Sequence, residues 1–475
     1  MGKYKNLAKN TLYVSIGTAG SKIVGILMLP LYTRWLSVDE FGTTDAITIY
    51  STLLVGVLSL CISESIFVFP KNQAKYIQEF YYSSGLTFCF FQISVGALLF
   101  LLLNWLFNYF KFENIFSTYS WYIYGLLSAS FLQSFTQSFT RSLDKMFIYS
   151  MAGMIQTIGI AIFSFLLIPY IGLRGYVLSF IISYLISSIF AIISANHLLF
   201  FSLKKVKVGK IKEMLKYSTP LIPNNIMWWL INGLNRPIME IYLSTFSLGI
   251  YAVANKFSTM LQSVFSIFGM SWFNSALDEF GNPEFEKFYN NCLKIISTFL
   301  FLLSFIIIIL SEQLIKLLTT EDYYIAYRYI PFLLLSIIFS CLSGVIGCLF
   351  ACVKKSRYYF YSSMFGGIGS ITSLLLLTPL LGLYGVVLSV LLSHTLMLFF
   401  TIFYSLRFAV IRNVNYYFIL LLIYFILTLN NLYANNYTIF INIILFSIFV
   451  MICRDNIKSI YILAQNIIRK ESTRF

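Results

Sequence analysis

About fourteen stretches of this 475-residue chain are each long and apolar enough to cross a lipid bilayer. No other feature constrains the fold as tightly, because hydrocarbon offers a backbone no hydrogen-bond partners and each crossing segment must satisfy itself as a helix. The stretches lie near 10–32, 43–66, 80–103, 118–140, 146–168, 175–200, 217–242, 247–273, 290–311, 326–352, 358–379, 384–405, 416–430 and 436–452. With 59% apolar and 11% charged residues, the chain excludes a soluble enzyme, a disulfide scaffold and a disordered protein. The first segment is longer than a cleaved leader, is interrupted by Lys22 and lacks a small-residue cleavage site, so it is expected to be retained. Seven cysteines lie mostly in apolar runs without metal-ligand spacing; even Cys348 and Cys352, one helical turn apart, read as packing, and no metal is expected.

The net charge of +15 does not point to nucleic acid, because the charge sits in the loops. Counted over alternate loops, 25 of the 33 Lys and Arg fall on the side of the N-terminus, whereas Arg34, Lys111, Arg174, Lys316 and Arg328 fall on the other. The positive-inside rule then places both termini in the cytoplasm. The densest run, Lys204, Lys205, Lys207, Lys210, Lys212 and Lys216, reads as an interfacial linker on anionic lipid headgroups.

The chain also repeats itself. PYIGLRGYVLS (169–179) matches PLLGLYGVVLS (379–389) at an offset of 210, and the alignment runs ungapped back to Lys145 and Lys355. At an offset of 207, Pro30, Leu36, Ser37 and Gly42 match Pro237, Leu243, Ser244 and Gly249. Each repeat therefore holds six spans, and an even number makes the repeats parallel. The expected fold is an all-α polytopic membrane protein of about fourteen helices, two parallel six-helix repeats around a central cavity plus two peripheral C-terminal helices. Its boundaries are 1–203 for the first bundle, 204–216 for the basic linker, 217–405 for the second bundle, and 406–475 for the added helices and tail.

Polar stripes inside apolar spans mark the expected cavity. Thr11, Ser15, Thr18, Lys22 and Gly25 share one helix face; the mate span carries Ser218, Asn225, Trp229, Asn232 and Arg236. Asp45, Thr48, Thr52, Gly56, Ser59 and Ser63 line one side of span 2, and Asn255, Thr259, Ser263 and Ser266 line span 8 beside Lys256. The bland alternatives are Ser/Thr glue between helices, snorkelling lysines, and an Arg236–Glu240 pair within one helix. His197 and His394 read as packed or interfacial, and no nucleotide-binding loop occurs.

LPLYTRWLS (29–37), DEFG (39–42) and Asp45, with SESIF (63–67), Asn235–Arg236 and LGIY (248–251), resemble the polysaccharide flippases of the multidrug/oligosaccharidyl-lipid/polysaccharide exporter superfamily. Val68 and Asn235 depart from that pattern, where relatives often carry arginine and aspartate. The resemblance implies a non-enzymatic flippase of the bacterial inner membrane that moves an undecaprenyl-pyrophosphate-linked oligosaccharide, an O-antigen or capsule unit, to the periplasmic leaflet. It also implies association with polysaccharide polymerase machinery. Lys22, Arg236 and Lys256, with Asn225, Trp229, Asn232 and Arg34, are the candidate substrate contacts, since a bidentate guanidinium and a lysine point charge both suit pyrophosphate. Asp45, Glu64 and Glu240 are the candidate ion-coupling acids; a proton gradient, a sodium gradient and the membrane potential all remain open, and no cofactor is expected. The rivals are a multidrug/cation antiporter, expected to place acids in its cavity, and a membrane polymerase or glycosyltransferase, expected to carry long outer loops.

Overall fold

The computed structural model describes residues 24–458 apart from Ile26, Ser356 and residues 434–437, and in them the protein is an all-α polytopic membrane protein. Among the described residues, eight helices are long and apolar enough to cross a membrane. Of the expected fourteen, two share the element Met146–Ser194, the seventh is broken, the last is short, the fourth and eighth are long helices of lower hydropathy, and the first lies mostly outside the described residues. The chain forms two compact units, Met1–Ala252 and Val253–Phe475, so the seventh span and the first turns of the eighth pack with the first unit.

The first unit runs through α1 (Leu29–Trp35), α2 (Val38–Leu58), α3 (Ile62–Val68), α4 (Lys75–Phe110), α5 (Ile115–Thr118), α6 (Ser120–Ser142), α7 (Met146–Ser194), α8 (Val208–Ser218), α9 (Ile222–Asn232) and α10 (Asn235–Tyr242), and ends in the start of α11 (Thr245–Glu279). Helix α2 begins at a capping box: the Glu40 N–H donates to Ser37 Oγ at 3.2 Å and the Ser37 N–H to Glu40 Oε2 at 3.0 Å. Span 2, expected to be unbroken, instead divides into α2 and α3, because Leu60 and Cys61 both take left-handed backbone angles (φ 47° and 55°). For residues with a Cβ this costs about 1–2 kcal/mol each, and the Cys61 N–H is satisfied by Ser59 Oγ at 3.2 Å. Span 7 is broken as well. Pro223 sits in the first turn of α9, where its missing N–H is harmless; the helix then stops at Gly233, and α10 restarts two residues later. The core beneath these breaks is aromatic: Tyr82 stacks on Phe139 with centroids 4.3 Å apart, among Phe131, Phe135, Ile62 and Ile66. His197 is packed there, 3.1 Å from Thr140 Oγ1.

Helix α7 carries spans 5 and 6 as an antiparallel hairpin. Ser164 meets Ser179 at 2.9 Å and Ser187 donates to Ala152 O at 2.8 Å, with the reversal at Ile171–Gly172.

The second unit takes in the rest of α11, then α12 (Phe285–Leu318), α13 (Ile330–Cys352), α14 (Arg357–Leu381), α15 (Leu383–Ser405), α16 (Val414–Leu432) and α17 (Thr438–Ile452). Helices α14 and α15 repeat the α7 hairpin at the offset read from the sequence. Gly172 (φ 53°, ψ −132°) and Gly382 (φ 58°, ψ −132°) share a backbone conformation reserved for glycine. A Cβ on Gly175 would lie 2.6 Å from Leu167 O, and one on Gly385 2.0 Å from Leu377 O, so the second glycine of each motif lets the hairpin arms touch. The C-terminal helices are tied in: Thr298 and Tyr416 meet at 2.6 Å, the Tyr424 hydroxyl donates to Pro331 O at 2.6 Å, and Phe305 stacks on Phe449 at 4.7 Å.

Candidate functional site: a polar seam between spans 2 and 7

The two glycines matched at an offset of 207 pack against each other. A Cβ on Gly42 would lie 2.4 Å from Thr245 O and 2.5 Å from Gly249 N; a Cβ on Gly249 would lie 2.1 Å from Val38 O. Val38 and Thr245 are themselves repeat mates, so the contact is reciprocal, and it brings the N-terminal turns of α2 and α11 together backbone to backbone. The Thr245 hydroxyl also donates to Asp39.

This crossing holds α2 beside α10, where the charges meet. Arg236 is only 2% exposed. Its Nε donates to Asp45 Oδ2 at 2.8 Å, one terminal nitrogen donates to Asn232 O and to Asn235 Oδ1, both at 2.8 Å, and its plane lies 4.7 Å from the Tyr251 ring centroid. Asn235 Nδ2 in turn donates to the Tyr251 hydroxyl at 2.7 Å. An arginine cannot shed its proton, so burial is tolerable only with a counter-ion and nearly every N–H used. Asp45 is that counter-ion, 191 residues away in sequence. One turn beyond Arg236, Glu240 accepts from the Tyr50 hydroxyl and, at 2.5 Å, from the N–H of Ile115, which opens the short helix α5. The seam continues through Trp229 Nε1, which donates to Ile49 O at 3.2 Å, and through Asn225 Nδ2, which reaches Cys61 Sγ at 3.3 Å at the break in span 2.

The structure thus joins residues that the sequence had separated into roles. Arg236, a candidate substrate contact, and Asp45, a candidate coupling acid, form one ion pair; Glu240 is bonded to Tyr50 and Ile115. Trp229 and Asn232 lie on the same seam, with Asn232 donating to Trp228 O at 2.9 Å. Arg34 is exposed at the end of α1 and Glu64 is exposed on α3, while Lys256 is half-buried in the second unit. Lys22, with Thr11, Ser15 and Thr18, lies outside the described residues. Of the other stripe positions, Thr52, Thr259 and Ser266 are exposed, whereas Ser59 and Ser63 are buried. Tyr50, Tyr251 and Ile115 were not singled out by residue type, and Tyr50, five residues past Asp45, lies off the polar stripe read on span 2. Among the described residues no cluster of His, Cys, Asp or Glu is arranged to hold a metal ion.

The family described as polysaccharide biosynthesis protein matches residues 7–273, and the MatE family matches residues 220–371. No curated protein matches by sequence. Among solved structures, the fold is similar to lipid II flippase MurJ in an inward closed conformation (TM-score 0.71, 18% identity, 94% of this chain and 99% of that one). It is also similar to a multidrug resistance MATE family transporter of the MOP superfamily in an inward-facing conformation (TM-score 0.61, 12% identity, 81% and 97%). A MOP superfamily transporter from Pyrococcus furiosus, described as having a binding pocket of reversed polarity, is similar too (TM-score 0.53, 12% identity, 84% and 95%). With a family match that covers more than half of its length, the chain belongs to the polysaccharide biosynthesis protein family.

Proposed function

We propose that this protein flips an undecaprenyl-pyrophosphate-linked oligosaccharide from the cytoplasmic to the periplasmic leaflet of the bacterial inner membrane by alternating access. Both termini are cytoplasmic in this reading, and the seam between spans 2 and 7 is the closed outer gate. The observation that carries the reading is the Asp45–Arg236 pair, buried charge held between two spans by one counter-ion. The family match and the likeness to a lipid II flippase support a lipid-linked cargo.

The chemistry follows from the exchange of one anion for another. With the outer gate shut, cargo loads from the cytoplasmic side and its pyrophosphate is drawn by Lys22 and by Lys256. At an effective dielectric of 20, a cation about 4 Å from a unit negative charge gains about 4 kcal/mol before desolvation. Pyrophosphate competes with Asp45 for the Arg236 fork, and once the carboxylate is displaced the seam loses its strongest tie and opens outward. A proton or a sodium ion bound at Asp45 or Glu240 would weaken the same ties, which gives either gradient a point of action, and the membrane potential is an equal alternative. Asn225, Asn232 and Trp229 then face sugar hydroxyls and a sugar ring, and Arg34 meets the cargo as it leaves. The lipid tail stays in the bilayer, no bond is made or broken, and polymerase machinery receives the flipped unit.

The deletion strain tests this reading. It is expected to accumulate undecaprenyl-pyrophosphate-linked oligosaccharide on the cytoplasmic leaflet, and wild-type protein, but not Lys22→Glu, is expected to clear it. Normal surface polysaccharide with newly gained sensitivity to cationic drugs would replace the flippase with a multidrug antiporter.

A further inference from the structure

We infer that residues 198–217 form a docking surface for anionic phospholipid headgroups, with Lys204, Lys212 and Lys216 as the contacts. The six linker lysines divide into two sets. Lys205 pairs with Glu79, Lys207 lies 4.4 Å from the Phe80 ring centroid, and Lys210 donates to the Tyr81 hydroxyl at 2.9 Å and to Glu213 Oε2 at 2.8 Å. These three fasten the linker to the start of α4. The backbone is fastened as well: the N–H groups of Ser202 and Lys207 donate to Ser83 and Ser84, each at 2.9 Å, and Ser83 donates to Phe200 O at 3.0 Å. Both serines are fully buried, so the segment is an ordered ledge.

Lys204, Lys212 and Lys216 are exposed and enter no ion pair among the described residues. Val208, Lys212 and Lys216 follow one another at helical spacing on a single face of α8. Around them Leu198, Leu199, Leu203 and Val208 are exposed by 64–73%, side chains that water would disfavour. Both neighbouring acids are already bonded to lysine, and the Lys210 hydrogen bond holds the Glu213 carboxyl below its usual range, so nothing on the ledge neutralises the outward three. The linker joins the ends of two spans and therefore sits at headgroup depth. Exposed leucines interleaved with uncompensated lysines at that depth fit an anionic lipid surface.

The ledge also reaches the moving parts, since Ser65 of α3 donates to Met214 O at 2.7 Å and α8 leads directly into span 7. Headgroup binding therefore stiffens the inner ends of spans 2, 3 and 7 whatever the cargo is.

Hydrogen exchange on the purified protein tests this in vesicles of phosphatidylethanolamine alone and of phosphatidylethanolamine mixed with phosphatidylglycerol. Amides of residues 198–217 are expected to exchange about fivefold more slowly with phosphatidylglycerol present, and high salt is expected to remove the protection. The K204Q/K212Q/K216Q variant should lose the response while α6 keeps its wild-type exchange, which shows that the fold is intact. Equal exchange in both vesicles, an unchanged response in the variant, or protection that appears only on adding a soluble protein would each overturn the inference.

Discussion

The two units share a hairpin and differ in what they bury. Around Gly172 and Gly382 the backbone turns with nearly the same angles, and both units fill their helix contacts with buried serine and threonine. Yet among the described residues the only buried charged side chain is Arg236, in the first unit. At the offset of 207, the positions equivalent to Asp45, Tyr50, Arg236 and Glu240 are occupied by Ala252, Phe257, Leu29 and Thr33. The duplication thus carried glycines that let helices touch, whereas the ion pair takes its acid from the first repeat alone and its arginine from the second alone. Packing needs recur in both halves of a repeat, whereas a counter-ion exchange needs a single seam.

Removing one partner of a buried ion pair is where this difference should be largest. Asp45→Ala leaves Arg236 without its counter-ion and is expected to cost about 3–5 kcal/mol, read as a loss of thermal stability in detergent. The double variant Asp45→Leu/Arg236→Met is expected to regain most of that stability and none of the flipping activity. The hairpins should behave oppositely and alike: Gly172→Ala and Gly382→Ala each force a side chain into a glycine conformation, at about 1–3 kcal/mol. Markedly unequal costs would break the equivalence of the two turns. Tyr50→Phe removes one donor from Glu240 and should cost about 1–2 kcal/mol, while raising labelling of a cysteine placed at Phe116, beside the loop that Glu240 holds. In the second unit, Ser343→Ala, which breaks the 2.8 Å bond to Thr401, is expected to cost only about 1 kcal/mol.

The sequence displayed the hairpins because a repeat needs only internal comparison, and glycine at a fixed place in both copies has a backbone reason to be there. The breaks were less visible. Span 7 carried Pro223 and Gly233, but span 2 turns at Leu60 and Cys61, which no turn chemistry marks. The polar stripe on span 2 drew attention to Asp45, and the intramembrane arginine was an obvious candidate. Their pairing was hidden because each was read on its own helix: Asp45 as one member of a polar stripe, and Arg236 with a bond to Glu240 one turn away as the nearer alternative. Only packing over 191 residues joins them.

The central claim, that the seam between spans 2 and 7 must open for cargo to cross, is tested most directly by locking it. Asp39 and Thr245 are hydrogen-bonded across the helix crossing, so Asp39→Cys/Thr245→Cys on a cysteine-free background places two thiols there. Flipping of a fluorescent undecaprenyl-pyrophosphate-linked oligosaccharide by this variant in proteoliposomes should stop on oxidation and return on reduction. Flipping by the cross-linked protein at the rate of the reduced protein would contradict the account.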